Sequence, residues 1–301
     1  FPYTTLFRSI EKTGFETNFF AKRLKTKRSK LIGIVIPRIN SVTVGELLTG
    51  INRRLEENNY QGIILISDLS IEKELSNITS LAQQGVDGII VNSISITKEH
   101  IKLVSKVSVP IIFTGQKSEY VDSIKINDYE AGTVLGKYFK EKGHKSVVFA
   151  GVTESDEAVG IERKQGFIDA FTDENENSSV NFVETGFAFK KSYEMTPEIL
   201  KYSPTAIACA TDNICLGILR YLHENNIKVP EEVSVAGFGG YEISSVAYPA
   251  LTTVAFNYEL TGQKTAQGIL DLIEGKELDE KNDIPLKLIE RESVEDLIIK
   301  T

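Results

Sequence analysis

Three histidines, His100, His144 and His223, and two cysteines, Cys209 and Cys215, are the side chains of this 301-residue sequence best suited to nucleophilic or metal chemistry. None is spaced for it. The histidines lie far apart. His144 follows Gly143, a good helix stop, and His223 falls in the last turn of a helical pattern, where a partial positive charge suits the helix dipole. The cysteines stand inside apolar segments and have neither the spacing of a four-ligand zinc site nor that of a disulfide scaffold. No G-x-S-x-G elbow and no G-x-x-x-x-G-K-[ST] phosphate loop occurs. The turn after the first apolar run reads PRINS (37–41) instead of a dinucleotide fingerprint, and GFGGYE (237–242) is glycine-rich without that spacing. No metal site, no cofactor and no enzyme chemistry is therefore expected, and the polar residues at strand ends become candidates for binding.

The elements that position such residues alternate regularly. Continuous β-branched runs at 31–36, 63–66, 88–91, 110–113 and 147–150 read as fully buried strands. Between them, 44–58, 71–84 and 129–144 carry apolar residues at helical spacing. The pattern resumes with strands at 180–183, 206–210 and 233–237 and helices near 158–173, 189–200 and 212–225. A helix at 258–275 and a late strand at 284–290 cross back to complete both halves. Apolar strands separated by helices mean parallel sheets covered on both faces. The expected class is α/β, with two doubly wound parallel-sheet subdomains. The first spans about 31–150 and 255–282, the second about 151–254 and 283–301. A cleft between two such halves, at the carboxyl ends of the strands, is the default ligand site.

Composition narrows the partners. Charged residues at 25% and apolar residues at 41% are ordinary for a globular chain. No run approaches the roughly 18 apolar residues of a membrane span, no secretory signal pattern is visible, and a reducing, cytoplasmic setting fits the two cysteines. Residues 1–30 hold eight Lys/Arg against two Glu, a net +6, while the rest carries 26 against 40, a net −14. A basic arm on an acidic body is the asymmetry of a chain whose arm touches nucleic acid.

Five segments, in order and at matching spacing, resemble the LacI family of bacterial transcription repressors, whose core is similar to periplasmic binding proteins of type I. They are KLIGIVIPRINS (30–41), NDYEAG with GKYFKEKGHKSVVFAG (127–132 and 136–151), AVGIERKQGF (158–167), ACATDNICLGIL (208–219), and VPEEVSVAGFGG with PALTTV (229–240 and 249–254). The arm TGFETNFFAKRLKTKRSK (13–30) resembles the last headpiece helix and hinge helix of that family, with Asn18, Ala21 and Leu24 matching N-x-x-A-R-x-L and Lys22 in the usual arginine position. The resemblance implies a homodimer in which Leu24 of each subunit wedges into a minor-groove step. Lys22 and Arg23 would add phosphate contacts. Only Phe1–Ser9 and a helix remnant precede the hinge, and Phe1–Ser9 does not resemble the family. The expectation is that residues 1–30 are a remnant of a helix-turn-helix headpiece plus hinge, without the recognition helix that reads operator DNA.

The same resemblance supplies effector candidates. Arg163, the arginine of R-x-x-G-F, would bond ligand hydroxyls, and Phe187 would stack on the ligand. Gln116, Asp128 and Thr211 are polar positions at strand ends, each as fit to cap a helix as to touch ligand. Arg38 in PRINS matches the arginine that holds the phosphate in the trehalose repressors. That branch, with the sucrose operon repressors, senses sugar 6-phosphates, and a guanidinium fork suits phosphate. Where many family members have an aspartate two residues after Gly237, this sequence has Gly239. Losing that carboxylate removes a repulsion against phosphate. The expected function is a repressor core that senses a disaccharide 6-phosphate by cleft closure. The other reading is a periplasmic-type sugar-binding protein with no DNA role, which leaves the basic arm unexplained.

Overall fold

The computed structural model describes residues 28–172, 178–278 and 284–299. The proposed hinge residues Asn18, Ala21, Lys22, Arg23 and Leu24 lie outside them. Two parallel sheets organise the chain. The first has five strands in the order β2-β1-β3-β4-β5, with β1 Leu31–Ile36, β2 Gln61–Ile66, β3 Gly88–Asn92, β4 Ile111–Thr114 and β5 Ser123–Ile124. The second has six in the order β11-β10-β9-β8-β6-β7: β6 Ser146–Gly151, β7 Ser179–Glu184, β8 Ala206–Cys209, β9 Ser234–Gly239, β10 Thr252–Ala255 and β11 Lys287–Ile289. All neighbouring pairs are parallel except β10 and β11.

Helices α1 Val42–Glu57, α2 Ile71–Gln84 and α3 Lys98–Val104 join the strands of the first sheet. Helix α4 Asp128–Glu141 leads into the second. There a π-helical turn, Glu157–Arg163, runs straight into α5 Lys164–Phe171. Helices α6 Phe189–Leu200, α7 Asp212–Glu224 and α8 Glu242–Val246 follow, and α9 Tyr258–Ile273 returns to pack on α1 and on β3, β4 and β5.

Local chemistry explains the element ends. The side chains of Ser70, Asn127, Thr211 and Asn257 each accept a backbone N–H from the first turn of α2, α4, α7 and α9. Gly85 ends α2 in the left-handed region at φ 73°, and Gly143 at φ 79° turns the chain after α4.

Two expectations change. Strand 146–151 belongs to the second sheet, so the break between sheets falls between Ile124 and Ser146 and not at residue 150. An apolar run cannot announce which sheet it joins. Strand β2 is also not fully buried: it is the edge of its sheet and leaves Ile64 47% exposed. The buried apolar residues form two clusters, a small one on the α2 face of the first sheet and a large one in which Phe139 of α4, Phe149 of β6 and Phe167 and Phe171 of α5 pack together.

Candidate functional site

The carboxyl ends of the two sheets carry the candidate residues. From the first sheet, Arg38 follows β1 and Gln116 follows β4. Gln116 is 3% exposed and makes no hydrogen bond with the described residues. Arg38 reaches the second half, where its guanidinium carbon lies 5.1 Å from the centre of the Phe187 ring. Phe187 stands just before α6, after Gly186 at φ 64°. The two residues expected to hold a phosphate and a sugar face thus meet each other across the halves.

Arg163 and Asp128 form a second centre. Arg163 is only 5% exposed. Its Nε donates to Asp128 Oδ1 at 3.0 Å, its Nη2 donates to the same oxygen, and its Nη1 donates to the Ala210 carbonyl at 2.6 Å. Its guanidinium carbon lies 5.1 Å from the Phe238 ring and 4.7 Å from the Phe256 ring. Burial works against the charge, but the Asp128 carboxylate, helped by the Tyr258 and Tyr241 phenols, outweighs it and raises the arginine pKa further.

Close backbone approach makes this geometry possible. A Cβ on Gly132 would stand 2.1 Å from the Arg163 carbonyl oxygen, and one on Gly166 would stand 2.0 Å from that of Tyr129. The D-x-x-x-G of α4 and the R-x-x-G-F of the π-turn and α5 interlock: each motif offers one charge and one glycine to the other. Phe167, the last position, enters the aromatic core.

Thr211 caps α7 through Ile214 N–H, at 3.4 Å. The residue beside it does more. Asp212 is fully buried and accepts from Gly240 N–H at 2.9 Å, Tyr241 N–H at 3.2 Å, Ser244 Oγ at 2.7 Å and Thr253 Oγ1 at 2.7 Å. Burial pushes its carboxyl pKa up against the pull of those donors. This carboxylate ties the ends of β8, β9 and β10 together.

Sequence reasoning passed over Asp156 and two tyrosines. Asp156 caps the π-turn through Val159 N–H at 3.0 Å. Burial raises its pKa, while the Val159 N–H, Arg163 and Arg38 pull the other way. Tyr241 and Tyr258 surround the same centre, and burial pushes both phenols upward, with Asp212 adding to the effect on Tyr241. Only the N-cap spacing D-x-x-V at 156–159 was visible in advance, and it points to a cap, not to a cleft. Among the described residues no group of His, Cys, Asp and Glu is arranged to hold a metal ion, and no helix is long and apolar enough to cross a membrane.

The chain's way into the core is also fixed. Asp87 accepts from Ser29 N–H at 2.7 Å, Ser29 Oγ at 2.8 Å and Lys30 N–H at 2.9 Å. Arg28 donates to the Tyr60 hydroxyl at 3.3 Å and the Ile273 carbonyl at 3.1 Å.

Residues 137–294 match the model of a family described as periplasmic binding protein-like domain. The sucrose operon repressor of Staphylococcus xylosus is 30% identical over 274 residues, 90% of this chain and 85% of that protein. A LacI family transcriptional regulator from Enterococcus faecalis V583, solved with bound ribose, is 29% identical. It covers 89% of this chain and 99% of its own, with a TM-score of 0.79. The lac repressor dimer bound to operator and the anti-inducer ONPF superposes with a TM-score of 0.85 over 93% of this chain and 99% of its own. At 21% identity that likeness concerns the fold.

Proposed function

Because the chain belongs to the LacI family of transcription regulators, we propose that it is a cytoplasmic, dimeric, DNA-binding repressor whose cleft senses a disaccharide 6-phosphate such as trehalose or sucrose 6-phosphate. The family is one of regulators, and the chain is not an enzyme. Effector binding closes the two sheets on each other and shifts the equilibrium of the arm at residues 1–30, which changes affinity for operator DNA. Such couplings are typically about 1–3 kcal/mol.

The observation that carries the phosphosugar reading is Arg38 lying over Phe187 from the opposite half. Arg38 forms no hydrogen bond or ion pair with the described residues, so its donors are available to an anion. The other cleft arginine, Arg163, already gives three donors to Asp128 and Ala210. A phosphate ester therefore has one free guanidinium to bind and one aromatic ring for its sugar face. Gly239 adds no carboxylate to repel it.

Calorimetry on Arg38→Ala tests this reading. The variant should bind a disaccharide 6-phosphate at least tenfold more weakly than wild type while its affinity for the free disaccharide barely moves. Equal losses for both ligands would sink the phosphate assignment.

The dimer reading rests on the outer face of the first sheet. Leu48, Thr49, Asn52, Arg53 and Glu56 of α1, with Gly62 and Ile64 of β2, line an open groove of about 470 Å³. That groove lies on the flank of the sheet, away from the cleft. A second copy of the same edge is the partner it suits.

A further inference from the structure

The cleft holds one more polar group that no hydrogen bond accounts for, the hydroxyl of Tyr241. The residue follows the glycine pair after β9 and precedes α8. Its backbone is fixed, because Gly240 and Tyr241 N–H both donate to the buried Asp212 carboxylate. Its ring packs on Gly239: a Cβ there would lie 2.6 Å from Tyr241 Cε1 and 2.7 Å from Cζ. The aromatic side chain thus fills the space that any side chain at position 239 would need. With φ at 137°, that position also favours glycine.

Tyr241 is 5% exposed, yet its hydroxyl bonds to none of the described residues. Among the described residues the sealed side-chain polar atom without a partner is His144 Nε2 and not the Tyr241 oxygen, so this hydroxyl keeps contact with solvent and is open to a ligand. The charged groups that act on this phenol come from both halves: Asp212 and Arg163 from the second, Glu46 and Arg38 from the first. A polar atom surrounded by charges of both halves, and bonded to none of them, faces the space between the halves.

We propose that the Tyr241 hydroxyl is an effector-binding group, donating a hydrogen bond to an oxygen of the sugar from the place where a side chain at position 239 would otherwise enter the cleft. Burial and the neighbouring Asp212 keep the phenol protonated, so at neutral pH it is a donor. Its natural acceptor is a hydroxyl, glycosidic or ester oxygen, chemistry that a free and a phosphorylated sugar share. The inference rests on the sugar-sensing reading, but it is independent of whether the sugar carries phosphate.

Tyr241→Phe removes the oxygen and keeps the ring on Gly239, and Tyr202→Phe, in the exposed turn after α6, sets the baseline. Both variants and wild type are titrated with trehalose, sucrose and their 6-phosphates by calorimetry, and their ligand-free melting is followed in parallel. Tyr241→Phe should weaken each sugar that wild type binds by about fivefold to tenfold while melting at or above the wild-type temperature. Unchanged affinity overturns the proposal. So does weaker binding that comes with a lower ligand-free melting temperature, because that outcome assigns the oxygen to packing. If wild type binds none of these sugars, the sugar-sensing reading fails, and this inference fails with it.

Discussion

His144 is the side chain whose chemistry the fold alters most legibly. It is buried behind α4, its Nδ1 lies 3.1 Å from Thr205 Oγ1, and its ring meets Phe139 edge-on. Burial outweighs the pull of Glu295 and Asp296 and lowers its pKa from 6.5 to about 4. The unfolded chain therefore takes up a proton between about pH 6.5 and 4 that the native protein refuses, and native stability falls as pH drops through that window. Below about pH 4 the loss levels off. Its full size is about 3 kcal/mol. Urea unfolding of His144→Gln between pH 7 and 4 should show a shallower loss than wild type, and parallel curves would exclude this assignment. The sequence placed His144 after a helix stop, which the structure bears out. The sequence did not show the burial, because that comes from the C-terminal segment returning 150 residues later.

At the scale of elements, the apolar runs marked nine of the eleven strands of the described residues, missing β5 and β10, because a strand covered on both faces leaves a continuous signal. What failed was adjacency. Strand β2 reads as buried by composition but is an edge, and β6 reads as the end of the first half but pairs between β7 and β8. Both are decided by partners distant in sequence. The π-turn reads in sequence as the start of an ordinary helix, since widening a helix by one residue per turn barely alters its apolar spacing. The interlocked motifs are different: their residues were legible, and their reason was not. Gly132 exists to let the Arg163 carbonyl come close, and Asp128 exists to hold the guanidinium that the approach delivers. Gly132→Ala cannot fit without separating α4 from the π-turn, because its Cβ would meet backbone atoms. The expected cost is about 1–3 kcal/mol, in the range of overpacked sites. Effector affinity should fall as well, since Arg163 moves with the turn. A variant that melts like wild type would show that the two helices part without strain.

For the whole molecule, the exposed edge of β2 is a liability unless something covers it. Ile64 is the test residue, being half-exposed in the single chain and central to the groove beside α1. Sedimentation should show a dimer for wild type at micromolar concentration and a monomer of unchanged circular dichroism for Ile64→Lys. A dimer that survives the substitution would move the interface elsewhere, for example to the exposed Ile243, Val246 and Tyr248 around α8. The two-half architecture was legible in the repeat of strand and helix, and the cleft followed from it. Which side chains meet at the strand ends was legible only where a motif marked them, as with Asp128 and Arg163. Asp156 and Tyr241 owe their positions to backbone turns held by buried groups, which no local pattern records.

The path of the chain has a last consequence, for how the protein is made. Helix α9 covers β3, β4 and β5 of the first sheet, yet it is translated after β10 of the second. Strand β11, which pairs with β10, comes later still. A ribosome that has released residues through Ala255 has therefore completed neither sheet's packing, and a nascent chain of that length still lacks a layer on one and an edge on the other. Domains that are contiguous in sequence fold one after another as they emerge. These two halves must wait for the same final stretch and finish together.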